Sequence, residues 1–207
     1  MSYINIQTLT QHTESEIRAL YPNTSFPIPF TPPDGYAFVQ SAPQPTHDAI
    51  TQRAQEVTPV LTGFGYQQTW EIVELFAAQV DKDAAIEANR SSAKATKWEA
   101  IKVERDRRKA LGYFVSGKWF HGDTDSRIQQ IGLLMMGANI PVGLQWKTLD
   151  GSFVAMTPTL AGQIFNAAAM QDQVIFSKAE EHRVAMEASA DPAVYDFSGG
   201  WPAAYVG

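Results

Sequence analysis

His121, Asp123 and Asp125 stand within five positions of one another in WFHGDTDSRIQQIGLLMMGANIP, residues 119–141. An imidazole and two carboxylates so close together are the raw material of a metal site or a proton-transfer site, and either would make the chain an enzyme. Their spacing matches no zinc signature, and the stretch lacks the twelve-residue frame and closing glutamate of a calcium loop. A structural use fits better. Asp123 or Thr124 can accept hydrogen bonds from the free N–H groups of a first helical turn, and Asp125 sits where the helix dipole favours negative charge. Ile128, Ile131, Leu134 and Met135 then follow at helical spacing. The reading is a cap followed by a buried helix, with no metal and no catalytic role for these three residues. The Met135-Met136 pair is read as core filler.

Other chemistry-bearing residues have similarly plain readings. His182 lies near Glu180 and Glu181 on the apolar stripe of a predicted helix, with no serine or cysteine nucleophile beside it in the sequence. A buried, hydrogen-bonded histidine is expected. His12 and His47 sit in polar loop contexts, and Gly137 and Gly143 flank a turn without phosphate-cradle spacing. Arg105, Arg107, Arg108 and Lys109 precede Gly112, where cations complement a helix C-terminus. With a formal charge of −6 and no long basic block, no nucleic-acid partner is expected. No catalytic, cofactor or metal residue is assigned.

The elements that must position these residues divide the 207-residue chain into an α+β arrangement. A small N-terminal antiparallel β module with a proline-rich arm is assigned to residues 1–76, with strands at Tyr36 to Gln40, TPVLTG and YQQTWEIVEL. Thr13 and Glu16 have capping-box spacing for a short helix, Glu14 to Leu20. Pro22, Pro27, Pro29, Pro32 and Pro33 make the following stretch an extended arm. The Ala-, Glu- and Lys-rich segment after Phe76 predicts one long helix, or two broken near Ser91-Ser92, with a connector over 77–97.

Residues 98–190 are read as a C-terminal domain of two β-hairpins and two helices. Ser116-Gly117 and Asp150-Gly151 mark the hairpin turns; a two-residue loop at the second pairs Thr148 with Phe153 and Trp146 with Ala155. Thr157-Pro158 opens a helix reaching about Ala188, with Leu160, Ile164, Ala168, Ile175, Ala179, His182 and Met186 on one stripe. Residues 191–207 form an aromatic tail.

The chain has no cysteine, so neither disulfides nor thiolate metal sites contribute. Its start, MSYINIQTLT, lacks a basic and an apolar signal region, and no long apolar run suits a bilayer. Synthesis in the cytoplasm without membrane insertion is expected. Its aromatic supply exceeds what such small sheets need, which favours binding over chemistry. Phe26, Phe30, Trp70, Tyr195, Phe197, Trp201 and Tyr205 are the candidate partner-docking residues.

IKVERDRRKA, GKWFHGDTDSRIQQIGLLMMGANIP, LQWKTLDGSFVAMTPTLAGQIF and AEEHRVAM lie between about Trp98 and Ala188. Together they resemble an uncharacterised domain common at the C-terminus of tail proteins of tailed phages and prophages. PDGYAFVQSAPQP to GFGYQQTWEIVEL is similar to a short N-terminal module of small phage proteins encoded near tail fibres. The resemblance implies a structural protein of the virion tail, at the tail tip, baseplate or fibre attachment, made in the host cytoplasm. Its partners would be other tail proteins and further copies of itself. It supplies no catalytic residue. A fibre-assembly chaperone absent from the mature particle is the alternative, and an envelope-degrading enzyme comes last.

Overall fold

Capping and alternation signals in the first 75 residues fold into one sheet with one short helix. The structure, a computed structural model, describes residues 2–206. Two compact units divide between Ala88 and Asn89. The first contains β1 (Ser2–Asn5), β2 (Gln11–Thr13), α1 (Glu14–Leu20), β3 (Tyr36–Gln40), β4 (Gln52–Thr62) and β5 (Gly65–Glu74). Strand order is β2-β1-β3-β5-β4.

The capping box forms as expected: Thr13 Oγ1 accepts from Glu16 N at 3.3 Å, while Thr13 N donates to Glu16 Oε2 at 2.6 Å. The sheet differs from the expected antiparallel module at one junction, because β3 and β5 pair in parallel. The chain leaves β3, forms β4 as the far edge, and returns by hairpin, so β5 enters between them in the same direction as β3. β4 also begins at Gln52, well before TPVLTG, with a register shift between Val57 and Val60 next to Pro59. Proline cannot donate to a ladder, and an edge strand with a bulge tolerates it.

α2 (Gln79–Ala110) is a single helix of 32 residues that runs through Ser91 and Ser92 without a break. The division between units falls inside this helix, where the sequence suggested a separate connector over 77–97. Alanine richness and the absence of Gly and Pro keep the hydrogen-bond ladder continuous, and two serines cost too little to interrupt it.

The second unit continues with β6 (Tyr113–Val115), β7 (Lys118–Phe120), α3 (Thr124–Met136), β8 (Gln145–Lys147), β9 (Phe153–Ala155) and α4 (Pro158–Ala188). The β6–β7 hairpin turns through Ser116 and Gly117, both at positive φ, as a two-residue loop requires. Thr157 caps α4 by accepting from Leu160 N at 3.1 Å. Ile164, Ala168, Ile175, Ala179, His182 and Met186 are buried along it as expected, with Ala161 rather than Leu160 completing the stripe. Tyr113, Val115, Phe120, Ile140 and Met156 close one core over its first half.

The β8–β9 hairpin is shifted by one residue from the expected pairing. Trp146 opposes Val154 and Lys147 opposes Phe153. The loop holds three residues, Leu149 to Gly151, with Thr148 N donating to Ser152 O at 2.9 Å and Gly151 N to Thr148 O at 2.9 Å. Gly151 at φ +81° is the left-handed residue that closes such a loop. The shift exchanges the faces, so Trp146 and Val154 pack on the core while Phe153 is exposed. Asp150 stabilises the loop by accepting from Thr148 Oγ1 at 2.6 Å and Ser152 N at 3.0 Å.

Two glycines should respond differently to substitution. At Gly151 an added Cβ meets open space, so Gly151→Ala bears only the left-handed backbone cost, about 1–2 kcal/mol. At Gly112, φ +92°, the Cβ would stand 2.2 Å from Phe120 O and 2.7 Å from Leu149 Cδ1. Gly112→Ala should therefore lose about 3 kcal/mol or more. Chemical denaturation of the two variants measures the difference, and equal losses would count against this packing.

Candidate interaction surfaces

The opening cluster is spent on helix geometry. Asp123 is the N-cap of α3: its Oδ1 accepts from Ser126 N at 2.9 Å and its Oδ2 from Ser126 Oγ at 2.7 Å. Those two bonds hold its carboxyl below the usual carboxylate range. Asp125 lies exposed in the first turn. His121 contributes its carbonyl, which accepts from Gln130 Nε2 at 3.0 Å. Among the described residues, no three His, Cys, Asp or Glu side chains group as metal ligands.

The buried side of α3 is not the one expected. Gln130 is its buried residue, while Ile128, Ile131 and Met135 are exposed. The reason lies one residue beyond the opening cluster, at Arg127. Its guanidinium grips the Asp172 carboxylate of α4 with Nη1–Oδ2 at 2.6 Å and Nη2–Oδ1 at 2.9 Å. Nε donates to Gly122 O at 2.7 Å and Nη2 to Lys109 O at 3.2 Å. Beside it the Tyr113 hydroxyl donates to Gln130 Oε1, and burial pushes this phenol up to about 12. The polar set rotates α3 so that Arg127 and Gln130 face inward and the isoleucines face out. Only the tertiary partner Asp172 reveals this, since i,i+4 patterning marks Ile128 and Ile131 as the natural inner face.

His182 is buried and bonded twice: Nδ1 lies 2.9 Å from Tyr195 Oη and Nε2 lies 3.0 Å from Gly199 O. A carbonyl only accepts, so Nε2 carries a proton. Both partners belong to the aromatic tail. Tyr195, Phe197 and Trp201 pack with Trp98 on Ile101, Ala179 and Met186; Trp201 Nε1 donates to Phe197 O at 2.7 Å. Tyr205 approaches Trp119 at 6.3 Å between centroids, and Gln171 Nε2 donates to Ala203 O at 3.1 Å. Tyr195, Phe197 and Trp201 therefore pack on the core of their own unit, and all four rings stay half-buried.

The arm also folds on its own unit. Phe26 and Phe30 lie 5.1 Å apart, Phe30 meets the edge of Tyr3 at 5.2 Å, and the Arg18 guanidinium lies over both rings at 5.3 and 4.8 Å. Trp70 Nε1 donates to Ala42 O at 3.1 Å and pins the connection after β3. Phe26, Phe30 and Trp70 remain half-buried.

The basic run at the end of α2 is likewise engaged. Arg107 and Arg108 both donate to Glu104 at 2.6 Å, and the Arg107 bond leads in lowering this carboxyl to about 2. Arg105 pairs with Asp106 at 2.8 Å and lies over Phe176, and Arg108 lies over Trp201. Several large apolar side chains are left exposed. Phe64 at the tip of the β4–β5 hairpin is 89% exposed, with Leu61 exposed nearby, and the α3 face carries Ile128, Ile131 and Met135. No helix among the described residues is long and apolar enough to cross a membrane.

The protein is thus of the α+β class. Residues 92–199, just over half of the chain, match a family model described as a domain of unknown function, DUF4376, and the chain belongs to that family. The match lies wholly within the second unit. No curated protein and no solved structure matches the chain.

Three altered chains test this assignment of roles. Arg127→Lys keeps the charge but loses the fork, so it should destabilise the second unit nearly as much as Arg127→Met, by roughly 2–4 kcal/mol. Full stability of the lysine variant in urea melts would mean that charge alone suffices. Truncation after Ala188 should cost several kcal/mol by uncovering Ile101 and Met186, about the effect of deleting buried aromatic side chains. Retention of the wild-type melting temperature by the truncated chain would show the tail to be dispensable.

Proposed function

We propose that this chain is a non-catalytic structural protein of a bacteriophage tail, holding partners at the tail tip, baseplate or fibre attachment. One observation carries the non-catalytic part: side chains suited to chemistry are bonded as caps, clamps and tail anchors, whereas large apolar side chains are left in water. Asp123 caps α3, Arg127 and Asp172 clamp helices, and His182 holds the tail, while Phe64, Ile128 and Met135 are exposed. Contiguous exposed apolar patches are a mark of interaction sites. The tail assignment rests on the resemblance of the 98–188 segment and the 34–75 segment to phage tail-associated proteins. Other tail proteins are its partners in this reading, with synthesis in the host cytoplasm and residence in the virion.

Mass spectrometry of purified particles tests the proposal. The polypeptide should be recovered in fixed ratio to the tail proteins. Homogeneous particles that contain the fibre and lack this chain would overturn it and favour a fibre-assembly chaperone.

A further inference from the structure

From Asn5 to Leu9, at the turn between β1 and β2, every backbone N–H has an acceptor within the chain. Asn5 N donates to Thr10 O at 2.9 Å, Ile6 N to Gly35 O at 2.9 Å and Leu9 N to Asn5 O at 2.8 Å. Gln7 N and Thr8 N both donate to Asn5 Oδ1, at 3.0 and 3.1 Å. The β4–β5 turn is closed in a similar way: Phe64 N donates to Thr62 Oγ1 at 3.3 Å, Thr62 Oγ1 to Gly65 O at 2.7 Å, and Gln40 Nε2 to Phe64 O at 3.1 Å. Water satisfies such groups at an ordinary surface, whereas an apolar medium requires partners inside the chain.

The register brings both turns to one end of the sheet. β1 meets the start of β3 with Asn5 opposite Tyr36, and β5 runs parallel to β3 with Tyr66 opposite Val39. The two turns therefore flank the first residues of β3, roughly 10 Å apart at two strand spacings. Their side chains are apolar and exposed: Ile6 and Leu9 on one, Leu61 and Phe64 on the other. Leu9 holds φ +57°, a conformation that glycine or asparagine adopts at less cost. A leucine held there with its side chain exposed gives its own unit little in return, and such outliers gather at functional contacts.

Charge is separated along the strands. Residues 2–13 and 57–70 contain no Asp, Glu, Lys or Arg, while Arg53, Glu56, Glu71 and Glu74 stand toward the opposite end of β4 and β5. From Glu56 to the turn at Gly63 the strand covers roughly 20 Å. Asp34, exposed in the turn before β3, adds one carboxylate to the apolar end.

We propose that this end of the first unit seats in the interface of a zwitterionic lipid surface, with Leu9 and Phe64 entering it and the charged ends of β4 and β5 left in water. An interfacial element is buried by about 5–10 Å, well short of the roughly 20 Å to Glu56. A protein partner commonly exchanges hydrogen bonds across its interface, about one per 100–200 Å². Lipid tails exchange none, and the donors from Asn5 to Leu9 are already taken. The Asp34 carboxylate and the formal charge of −6 oppose attraction to anionic lipid and keep the seat shallow. Contact at this depth needs no membrane-spanning segment, and it is independent of the phage-tail reading.

Flotation of the full chain with phosphatidylcholine vesicles in a density gradient tests it, with Leu9→Gly and Phe64→Ser as variants. The wild type should rise with the vesicles. Phe64→Ser should lower the partition coefficient about tenfold or more, the effect of losing one buried aromatic side chain. Leu9→Gly suits the positive φ, so it should hold the wild-type melting temperature while also lowering the partition coefficient. Wild-type chain left at the bottom of the gradient overturns the proposal, and so does flotation that both variants retain in full. Recruitment confined to anionic vesicles and abolished by salt overturns it by placing the contact on basic residues elsewhere. Phe64-dependent self-association without flotation overturns it too, by making a second copy the occupant.

Discussion

The fork of Arg127 is the constraint on which the second unit depends. Four segments meet at one guanidinium: the last turn of α2 through Lys109 O, the loop at Gly122 through its carbonyl, α3 through the side chain itself, and α4 through Asp172. Lys109 O is among the helix-end carbonyls that lack an intrahelical partner, so the clamp also completes a helix. The planar guanidinium holds all of these bonds in one geometry, which an ammonium cannot. For the segments to come this near, Gly122 must have no side chain; a Cβ there would lie 2.4 Å from Lys109 O and 2.9 Å from Gly112 N. Arg127, Gly122 and Gly112 are therefore one feature, a backbone crossing drawn tight by a fork.

That clamp has a consequence on the outside. With Arg127 and Gln130 turned inward, α3 presents Ile128, Ile131 and Met135 to solvent, whereas α4 buries its apolar stripe. The aromatic tail shows the reverse. Residues that look unattached in sequence are drawn in by His182, by the Trp98 ring and by Ile101, and they cover α2 and α4. Polar side chains are thus bonded inside the second unit while apolar side chains of α3 face solvent.

Legibility in the sequence followed the range of the interaction. The Thr13–Glu16 box, the Asp123 and Thr157 caps, the Ser116-Gly117 turn and the α4 stripe each depend on atoms within about four residues, or on a period repeated over a long helix. All were readable from residue types and spacing. QRAQEV shows no alternation of large apolar residues, yet it is the first half of β4 because its partner strand β5 runs alongside it for that whole length. Nothing local marks it.

By itself the sequence determined the α+β class, most helix ends and the structural use of Asp123, since these are decided by short-range hydrogen bonds and periodic burial. Tertiary structure alone decided which face of α3 is inside, that the β8–β9 loop holds three residues, that β3 and β5 run parallel, and that the tail closes its own core. Each of these turns on a partner farther along the chain: Asp172 for Arg127, Trp119 O for Leu149 N at 2.9 Å, β3 for β5, and His182 for Tyr195. A local pattern states what a segment can do equally well in two registers or on two faces, and a distant group that needs one particular bond selects between them.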